Sequence, residues 1–402
     1  MAAIFTDPLL DEFGQWPLGY APYGGGDVDE LRAIAATVGD GGADAFYDAF
    51  TTAADRLAHD AAAAEAAGHF AAARELHLRA SSYYAAAYHP LYGSPVDPRL
   101  IDAFDKQVVE LNSGLSLGPE PSGPTRIPYD DTTLPGYLIP AANAGGGRRP
   151  LIIFTNGYDA TITDMYFASA VAASRRGYHC LLFDGPGQGE MLYHHGMPMR
   201  PDWEHVITQV VDWALRQDIV DAGRIVLSGW SLGGYLAPRG ASGEHRLAAV
   251  VADPGQWDVG AAMTTMATAL GVSADAATHP KTIDAATIAK MMGVITADPR
   301  LRWMIVQRGF WVNGVDNLAD FLAATLRYTL DDVGRHISCP VLVTSAENDF
   351  LSQGADRFTA ELGDRVTRVR FTAAEGAGMH CEMLNRPLLN ERVLDWLDTT
   401  LG

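Results

Sequence analysis

One serine in the chain stands in a setting that could make it a nucleophile. Residues 225–237 read IVLSGWSLGGYLA, so that Ser231 lies between Gly229 and Gly233 in a G-x-S-x-G pattern. The apolar run before it is typical of a strand, and the residues after it can begin a helix. A sharp strand-to-helix turn with small neighbours exposes the serine oxygen above a sheet. This setting predicts a nucleophile, and a serine in a plain structural turn is the alternative.

A serine hydroxyl needs a base to remove its proton, and in folds with this turn the chain order is serine, acid, histidine. Four histidines follow Ser231. Only His380 lies in a glycine-rich loop, TAAEGAGMHCE, directly after the last strand-like run, RVTRVRF. His245 lies among charged residues, His279 lies in a helical segment and His336 precedes a strand, so these three are expected to be solvated or structural. We predict His380 as the base.

The acid that orients the histidine is expected in the loop after the strand-like run PVLVTSA. The residues that follow this run offer two carboxylates, Glu347 and Asp349. Asp349 lies further beyond the strand, where the loop can turn towards the histidine. We therefore predict Asp349 as the acid and keep Glu347 as the alternative.

The negative oxygen that forms when a carbonyl is attacked needs hydrogen-bond donors. One is expected from the amide of Leu232, the residue after the serine, and another from a loop after an early strand. The run LIIFTNGYDAT supplies such a loop, and its turn presents the amide of Tyr158 with Asp159 beside it. An ordinary loop after a strand is the alternative interpretation.

These residues can meet only if a sheet brings their loops together. Short apolar runs alternate with amphipathic helical stretches, which indicates βαβ units and a mostly parallel, doubly wound α/β sheet. Such sheets place their sites at the carboxyl ends of the strands. The runs are PLIIFTN, YHCLLFDG, RIVLSGW, LAAVVADPG, PVLVTSAEND and RVTRVRF, preceded by a hairpin in TRIPYDDTTLPGYLIPA.

Turn-rich stretches and changes of composition divide the chain into four predicted parts. They are an N-terminal helical arm and cap-forming domain (1–115), the first part of the core (116–254), a helical cap insertion (255–335) and the last part of the core (336–402). The cap segment lacks strand-like runs bounded by turns, so it is expected as helices inserted late in the sheet. In the first part, residues 1–25 are expected to be extended, and two antiparallel helices to turn at Gly68.

The composition restricts the partners and the compartment. A net charge of −20 argues against nucleic acid and anionic membranes as partners, since both attract basic surfaces. The three cysteines, Cys180, Cys339 and Cys381, have no metal-ligand spacing, and the N-terminus lacks the basic and apolar regions of a signal peptide. We therefore expect a cytoplasmic protein that binds neither nucleic acid nor a membrane.

The motifs predict no cofactor and no metal. The turn in FDGPGQGE does not have the G-x-G-x-x-G spacing of a dinucleotide site, so Asp184 and Glu190 are interpreted as neighbours of a backbone turn beside the serine. No paired Cys or Glu accompanies His194, His195 and His205, which are interpreted as surface residues rather than metal ligands.

Four stretches together resemble one known group of proteins. They are FDGPGQGE (183–190), GWSLGGYLAPR (229–239), ADPGQWD (252–258) and EGAGMHCE (375–382). They are similar to α/β-hydrolases of the group that contains 2,6-dihydroxypseudooxynicotine hydrolase and the fungal polyketide-shortening hydrolases. The resemblance implies an α/β-hydrolase fold and a triad of Ser231, Asp349 and His380. It also implies a site between the sheet, the N-terminal helices and the cap, often in a homodimer.

Members of this group cleave carbon–carbon bonds beside ketones, so the resemblance implies hydrolysis of a 1,3-diketone or β-keto unit in an aromatic or polyketide-like molecule. A carboxylesterase or acyltransferase acting on a small ester is the alternative, because the same triad serves both, and a non-catalytic binding module is a third. Asp159 stands where the nicotine-degrading member has Glu. We predict substrate contacts from Asp159, Trp230, Trp303 and Trp311; packing of the cap is the alternative for its aromatic residues.

Overall fold

One eight-stranded sheet organises the part of the chain that the computed structural model describes, residues 3–142, 144–145 and 147–402. Its strands are β1 (Pro124–Tyr129), β2 (Thr132–Ile139), β3 (Arg149–Thr155), β4 (His179–Phe183), β5 (Val220–Trp230), β6 (Ala249–Asp253), β7 (Val341–Ala346) and β8 (Val366–Phe371). They lie in the order β1-β2-β4-β3-β5-β6-β7-β8. The pairs β1–β2 and β2–β4 are antiparallel, and the remaining pairs are parallel.

The central strands are buried on both faces, which explains their continuous apolar runs. Leu227 of β5 pairs with Ile153 of β3 on one side and with Val250 of β6 on the other. The mostly parallel, doubly wound sheet predicted from these runs is confirmed. The predicted hairpin is β1–β2 at one edge.

Five α-helices precede the sheet in the described residues: α1 (Pro8–Tyr20), α2 (Val28–Val38), α3 (Ala43–Ala66), α4 (Phe70–Ala87) and α5 (Pro98–Ser116). α3 and α4 flank Gly68, whose φ of +79° lies in the left-handed region that favours glycine. The expectation of an extended segment over 1–25 is wrong, because α1 lies within it. The side chain of Asp7 caps this helix by accepting hydrogen bonds from two amides of the first turn, and Phe13 is buried. The capping hydrogen bonds and the burial stabilise the helix by more than its glycine and proline residues destabilise it.

Further helices cover the sheet and form an insertion between β6 and β7. Before the insertion lie α6 (Ile162–Met165), α7 (Val171–Arg175), α8 (Gly189–Tyr193), α9 (Glu204–Ala214) and α10 (Gly233–Gly243). The insertion, here called the cap, contains α11 (Val259–Ala269), α12 (Ala274–Thr278), α13 (Ala285–Ala297), α14 (Pro299–Leu301), α15 (Phe310–Asn313) and α16 (Leu318–Thr325), with a π-helical stretch at Arg302–Gly309. After it come α17 (Ala355–Leu362) and α18 (Arg386–Leu401). Within the described ranges, no helix is both long and apolar enough to span a membrane.

Alternate side chains of the strands enter different apolar clusters. Leu227 of β5 lies in a cluster shared with the N-terminal helices, whereas Val226 lies in one shared with Leu397 of α18. The cap has a third cluster of its own. Trp303 and Trp311 of the cap nevertheless belong to the first cluster, so these two side chains join the cap to the N-terminal helices and the sheet.

Candidate active site

Ser231 lies at the turn between β5 and α10. Its backbone φ of +59° is in the left-handed region, which costs a residue other than glycine about 1–3 kcal/mol. Its amide donates to the carbonyl of Asp253 at 2.7 Å, and its carbonyl accepts from the side chain of Gln256 at 2.6 Å. A Cβ on Gly229 would lie 1.8 Å from the carbonyl oxygen of Gly233. These contacts and the two glycines hold the sharp turn that exposes the hydroxyl.

His380 and Asp349 complete a hydrogen-bonded chain with this serine. Nε2 of His380 lies 2.9 Å from Oγ of Ser231, and its Nδ1 lies 2.7 Å from Oδ2 of Asp349. The three residues follow β5, β7 and β8, so each lies beyond the carboxyl end of a strand. The amide of Asn348 donates to the carbonyl of Gly378 at 2.8 Å and joins the acid loop to the histidine loop. The structure therefore brings together the three side chains selected from the sequence.

Asp349 is buried and His380 is partly exposed. The side chain of Asp349 is 1% exposed and that of His380 is 40% exposed. Burial alone would raise the pKa of Asp349, but the hydrogen bond and charge of His380, with the amide of Leu351 and the hydroxyl of Ser352, lower it. Burial alone would lower the pKa of His380, but the hydrogen bond and charge of Asp349 raise it. An ionised Asp349 can therefore stabilise the imidazolium that forms when the serine loses its proton.

The alternative acid and bases lie away from this chain of hydrogen bonds. Glu347 is exposed and accepts a hydrogen bond from a backbone amide that follows β8. His245, His279 and His336 are exposed. The carboxylate that contacts His380 is thus the one that lies further beyond β7.

The loop after β3 lies directly on the serine turn. A Cβ on Gly157 would lie 2.7 Å from the amide nitrogen of Leu232 and 2.8 Å from Cβ of Ser231. Among the described residues, neither the amide of Leu232 nor that of Tyr158 donates to a backbone carbonyl. Two amides beside the serine are therefore available for an oxyanion. The Tyr158 side chain is fixed at its far end, where its hydroxyl accepts from Asn313 of the cap at 3.0 Å.

The turn in FDGPGQGE supports this loop. Nε2 of Gln188 donates to the carbonyl of Asn156 at 2.8 Å, and Nδ2 of Asn156 donates to Oδ1 of Asp184 at 3.3 Å. Burial, with the nearby charges of Glu190 and Asp164, raises the pKa of Asp184 to about 8. A neutral, buried carboxyl of this kind stabilises the loop by accepting the hydrogen bond from Asn156. The sequence interpretation of a backbone turn agrees with these contacts, but it did not identify Gln188.

The histidines considered as metal ligands lie in separate pairs. Nε2 of His194 lies 2.8 Å from Asp105, and Nε2 of His205 lies 2.8 Å from Asp130. His195 is exposed. In the described part of the chain, His, Cys, Asp and Glu side chains form no group of three or more that could hold a metal ion.

Asp159 forms an ion pair that the sequence analysis missed. Nη1 of Arg308, in the π-helical stretch of the cap, donates to Oδ2 of Asp159 at 2.6 Å. The carbonyl of Asp159 also accepts from the hydroxyl of Tyr92 at 2.8 Å. The cap and the segment that follows α4 thus both contact Asp159. Arg308 lies 149 positions along the chain from Asp159, so no local spacing could have indicated the pair.

The three tryptophans predicted to contact substrate make extensive packing contacts. Nε1 of Trp303 donates to the carbonyl of His89 at 2.8 Å. Trp311 stacks on Tyr193 with ring centres 5.3 Å apart. Trp230 is 4% exposed and lies in the apolar cluster that contains Val226 and Leu397. Contact of these rings with a substrate stays a prediction beside this packing.

A buried arginine supports the turn that presents His380. Nη1 of Arg386 donates to the carbonyl of Cys381 at 2.7 Å and to Oδ2 of Asp253 at 3.2 Å. Cys381 and Glu382 have φ values of +53° and +47°, so the turn is strained and needs such support. Burial and the nearby Asp253 raise the pKa of Glu382 well above its usual value. Nothing in the sequence marks Arg386 as buried, because arginine is usually exposed.

Known proteins match the chain over most of its length. A model of the alpha/beta hydrolase family matches residues 152–390. Hydrolase acrC of Aspergillus aculeatus is 31% identical over 95% of this chain and 94% of its own length. The 20-hydroxy-prefusarin hydrolase FUS2 of Gibberella moniliformis is 29% identical over 96% and 94%. The crystal structure of the 2,6-dihydroxy-pseudo-oxynicotine hydrolase, 21% identical, has a TM-score of 0.71 and covers 94% of each chain. The resemblance predicted from the motifs is confirmed.

Proposed function

The chain belongs to the alpha/beta hydrolase family, and from that premise we propose that it is a serine-dependent hydrolase of carbon–carbon bonds beside a ketone. Its substrate is a small aromatic or polyketide-like molecule with a 1,3-diketone or β-keto unit. The observation that carries the proposal is the hydrogen-bonded chain from Ser231 through His380 to Asp349. The two amides beside the serine support an oxyanion hole.

The proposed reaction proceeds through an acyl-enzyme. His380 removes the proton of Ser231, and the serine oxygen attacks the ketone carbon while the amides of Leu232 and Tyr158 bind the oxyanion. The bond to the neighbouring carbon breaks, its electron pair forms an enolate, and this leaving group takes the proton from His380. Water, activated by the same histidine, then hydrolyses the ester to a carboxylic acid and the free serine.

Cleavage of an ester is the second candidate. The triad serves either reaction, because only the leaving group differs. The four motifs that resemble the carbon–carbon hydrolase group support the first candidate. A carboxylesterase or acyltransferase is supported by the geometry alone, and a non-catalytic binding module would have no use for an aligned base and acid.

Two measurements test the proposal. A fluorophosphonate probe is expected to label the wild-type protein but not the Ser231→Ala variant. The Ser228→Ala variant, changed on the strand that precedes Ser231, is the control and is expected to be labelled like the wild type. The second measurement compares hydrolysis of benzoylacetone, a 1,3-diketone, with that of p-nitrophenyl acetate. Rapid ester hydrolysis without diketone cleavage would favour the esterase over the carbon–carbon hydrolase. Absence of labelling would contradict both hydrolases and favour the non-catalytic binding module.

The same proposal covers the remaining site and partner assignments. A contact between Asp159 and the substrate is supported by the position of its side chain, which directly follows Tyr158 in the chain and is partly exposed. Three assignments stay predictions: substrate contacts from Trp230, Trp303 and Trp311, a homodimer, and action without a cofactor. A ligand-bound crystal structure tests the contacts and the absence of a cofactor, and size-exclusion chromatography tests the homodimer. Cytoplasmic location is supported by the three buried, unpaired cysteines, which suit a reducing compartment.

A further inference from the structure

Arg308 carries a positive charge from the cap to the oxyanion loop. Its guanidinium carbon lies 5.2 Å from the ring centre of Tyr158 and 4.9 Å from that of Trp303. These two rings and the carboxylate of Asp159 fix the plane of the guanidinium. The amide of Tyr158 is a proposed oxyanion donor, so the cation lies against the side chain of a residue whose backbone would bind the developing negative charge.

The charge of Arg308 is unusual in these surroundings. The four loops that carry the triad and the oxyanion amides contain no lysine or arginine; besides the buried Glu382, whose pKa is raised, they contain three carboxylates. The loops are 155–161, 229–234, 346–352 and 376–382. An enolate leaving group would meet repulsion from these carboxylates unless a cation compensates for them. Arg308 supplies that cation from outside the four loops.

The ion pair also leaves hydrogen-bonding capacity unused. A guanidinium has five N–H donors, and in the described residues Arg308 makes one hydrogen bond, to Asp159. Its Nε and Oδ1 of Asp159 are enclosed without a hydrogen-bond partner, which costs free energy. The side chains remain 17% and 14% exposed. The enclosed Nε cannot reach a ligand, so the donors of Arg308 that remain for one are those of its terminal nitrogens, which make one hydrogen bond between them.

We propose that Arg308 determines specificity by binding the second oxygen of a β-dicarbonyl substrate, while Asp159 positions its guanidinium. This inference rests on the proposed function and deepens it. The first carbonyl is attacked by Ser231. When the bond to the central carbon breaks, its electron pair moves to the second carbonyl, and the resulting enolate oxygen faces Arg308. A simple ester has no second oxygen in this position, so Arg308 separates the two candidate substrate classes.

Benzoylacetone provides the test, because its enolate is distinguished from its neutral forms by ultraviolet absorption. In the Ser231→Ala protein, which cannot turn over, we expect binding with the enolate spectrum. Adding Arg308→Met is expected to weaken binding about 10- to 100-fold, the usual effect of losing a charge-assisted hydrogen bond, and to abolish the enolate spectrum. Arg308→Lys, which keeps the charge but not the planar fork, is expected to retain part of the spectrum.

Arg302→Met is the matched control, because Arg302 begins the same π-helical stretch and is exposed. It is expected to leave affinity and spectrum unchanged. Equal affinity and an enolate spectrum in the Arg308→Met protein would overturn the inference, and so would failure of the Ser231→Ala protein to bind benzoylacetone. If the wild type binds benzoylacetone as the enolate through Arg308 but does not cleave it, the proposed function fails while the binding inference stands.

Discussion

Arg386 on α18 and Asp253 at the end of β6 form a buried ion pair that links the turn of His380 to that of Ser231. The guanidinium nitrogen that contacts Asp253 also donates to the carbonyl of Cys381, the residue after His380. The carbonyl of Asp253 accepts the amide of Ser231 at 2.7 Å. The relative positions of Ser231 and His380 therefore depend on the buried guanidinium of Arg386.

Replacing Arg386 by methionine is expected to destabilise the protein strongly. Removing one member of a buried ion pair leaves an uncompensated charge, which costs about 3–5 kcal/mol. Urea denaturation measures the loss. Arg392→Met is the matched control on the same helix, because Arg392 pairs with Glu375 at the surface, where such pairs contribute about 0–1 kcal/mol. Equal losses in the two variants would contradict this role of Arg386.

The sequence predicts the residues of the candidate site whose roles are tied to chain order and local pattern. Ser231 follows from the G-x-S-x-G turn, and Asp349 and His380 follow from their loops after late strands. Arg308 and Arg386 could not be predicted in this way, because their partners lie 149 and 133 positions away along the chain. Their roles depend on how the cap and the last helix pack.

The same limit applies to the fold. The central strands follow from apolar runs that are buried on both faces, so their pattern is strong. The N-terminal helix α1 is missed because its segment contains glycine and proline, which oppose a helix when considered alone. Burial of Phe13 and the cap from Asp7 decide its structure, and burial depends on packing against the rest of the chain.

The pH dependence of labelling is expected to report the pair of His380 and Asp349. Only neutral His380 can accept the serine proton, and its pKa is raised above the usual value because Asp349 outweighs the effect of burial. The rate of fluorophosphonate labelling should therefore rise with pH and reach half its maximum above about pH 6.5, the value of an unperturbed histidine. A midpoint at or below that pH would contradict the pair as described.

Removal of the acid tests the cause of that shift. In Asp349→Asn the pKa of His380 is expected to fall, since burial remains and the charge is lost, so the midpoint moves to lower pH. The maximal hydrolysis rate is expected to fall by about 10⁴-fold, the effect of losing the acid in other triads. Asp356→Asn, in an exposed ion pair on α17, is the control and should change neither the midpoint nor the maximum.

Asp184 is expected to make stability depend on pH in the opposite sense from an ordinary carboxylate. Burial, with Glu190 and Asp164 nearby, raises its folded pKa to about 8, so the folded protein holds a proton that the unfolded chain releases above about pH 4. This contribution is complete below the unfolded pKa and is lost as the pH rises through the folded pKa. Asp184→Asn removes the titration and keeps the shape of the side chain.

The measurement for Asp184 is urea denaturation of wild type and Asp184→Asn between about pH 5 and pH 8. The free energy of unfolding of the wild type relative to the variant should decrease by up to about 1.4 kcal/mol per pH unit. Asp184→Ala should in addition loosen the oxyanion loop, because Asn156 loses its acceptor. A constant difference between wild type and Asp184→Asn would show that the carboxyl is ionised in the folded protein.

A methyl group at Gly157 is expected to disrupt the proposed oxyanion hole. Its Cβ would lie 2.7 Å from the amide nitrogen of Leu232 and 2.8 Å from Cβ of Ser231, so the loop must move away from the serine turn. We expect Gly157→Ala to lower hydrolysis and labelling rates about 10²- to 10³-fold, the effect of losing one oxyanion donor, with a stability loss of about 1–3 kcal/mol. Gly123→Ala is the control, because no described atom outside its chain neighbours lies within 4 Å of its Cβ position. Labelling of Gly157→Ala at the wild-type rate would mean that these two amides do not bind the oxyanion.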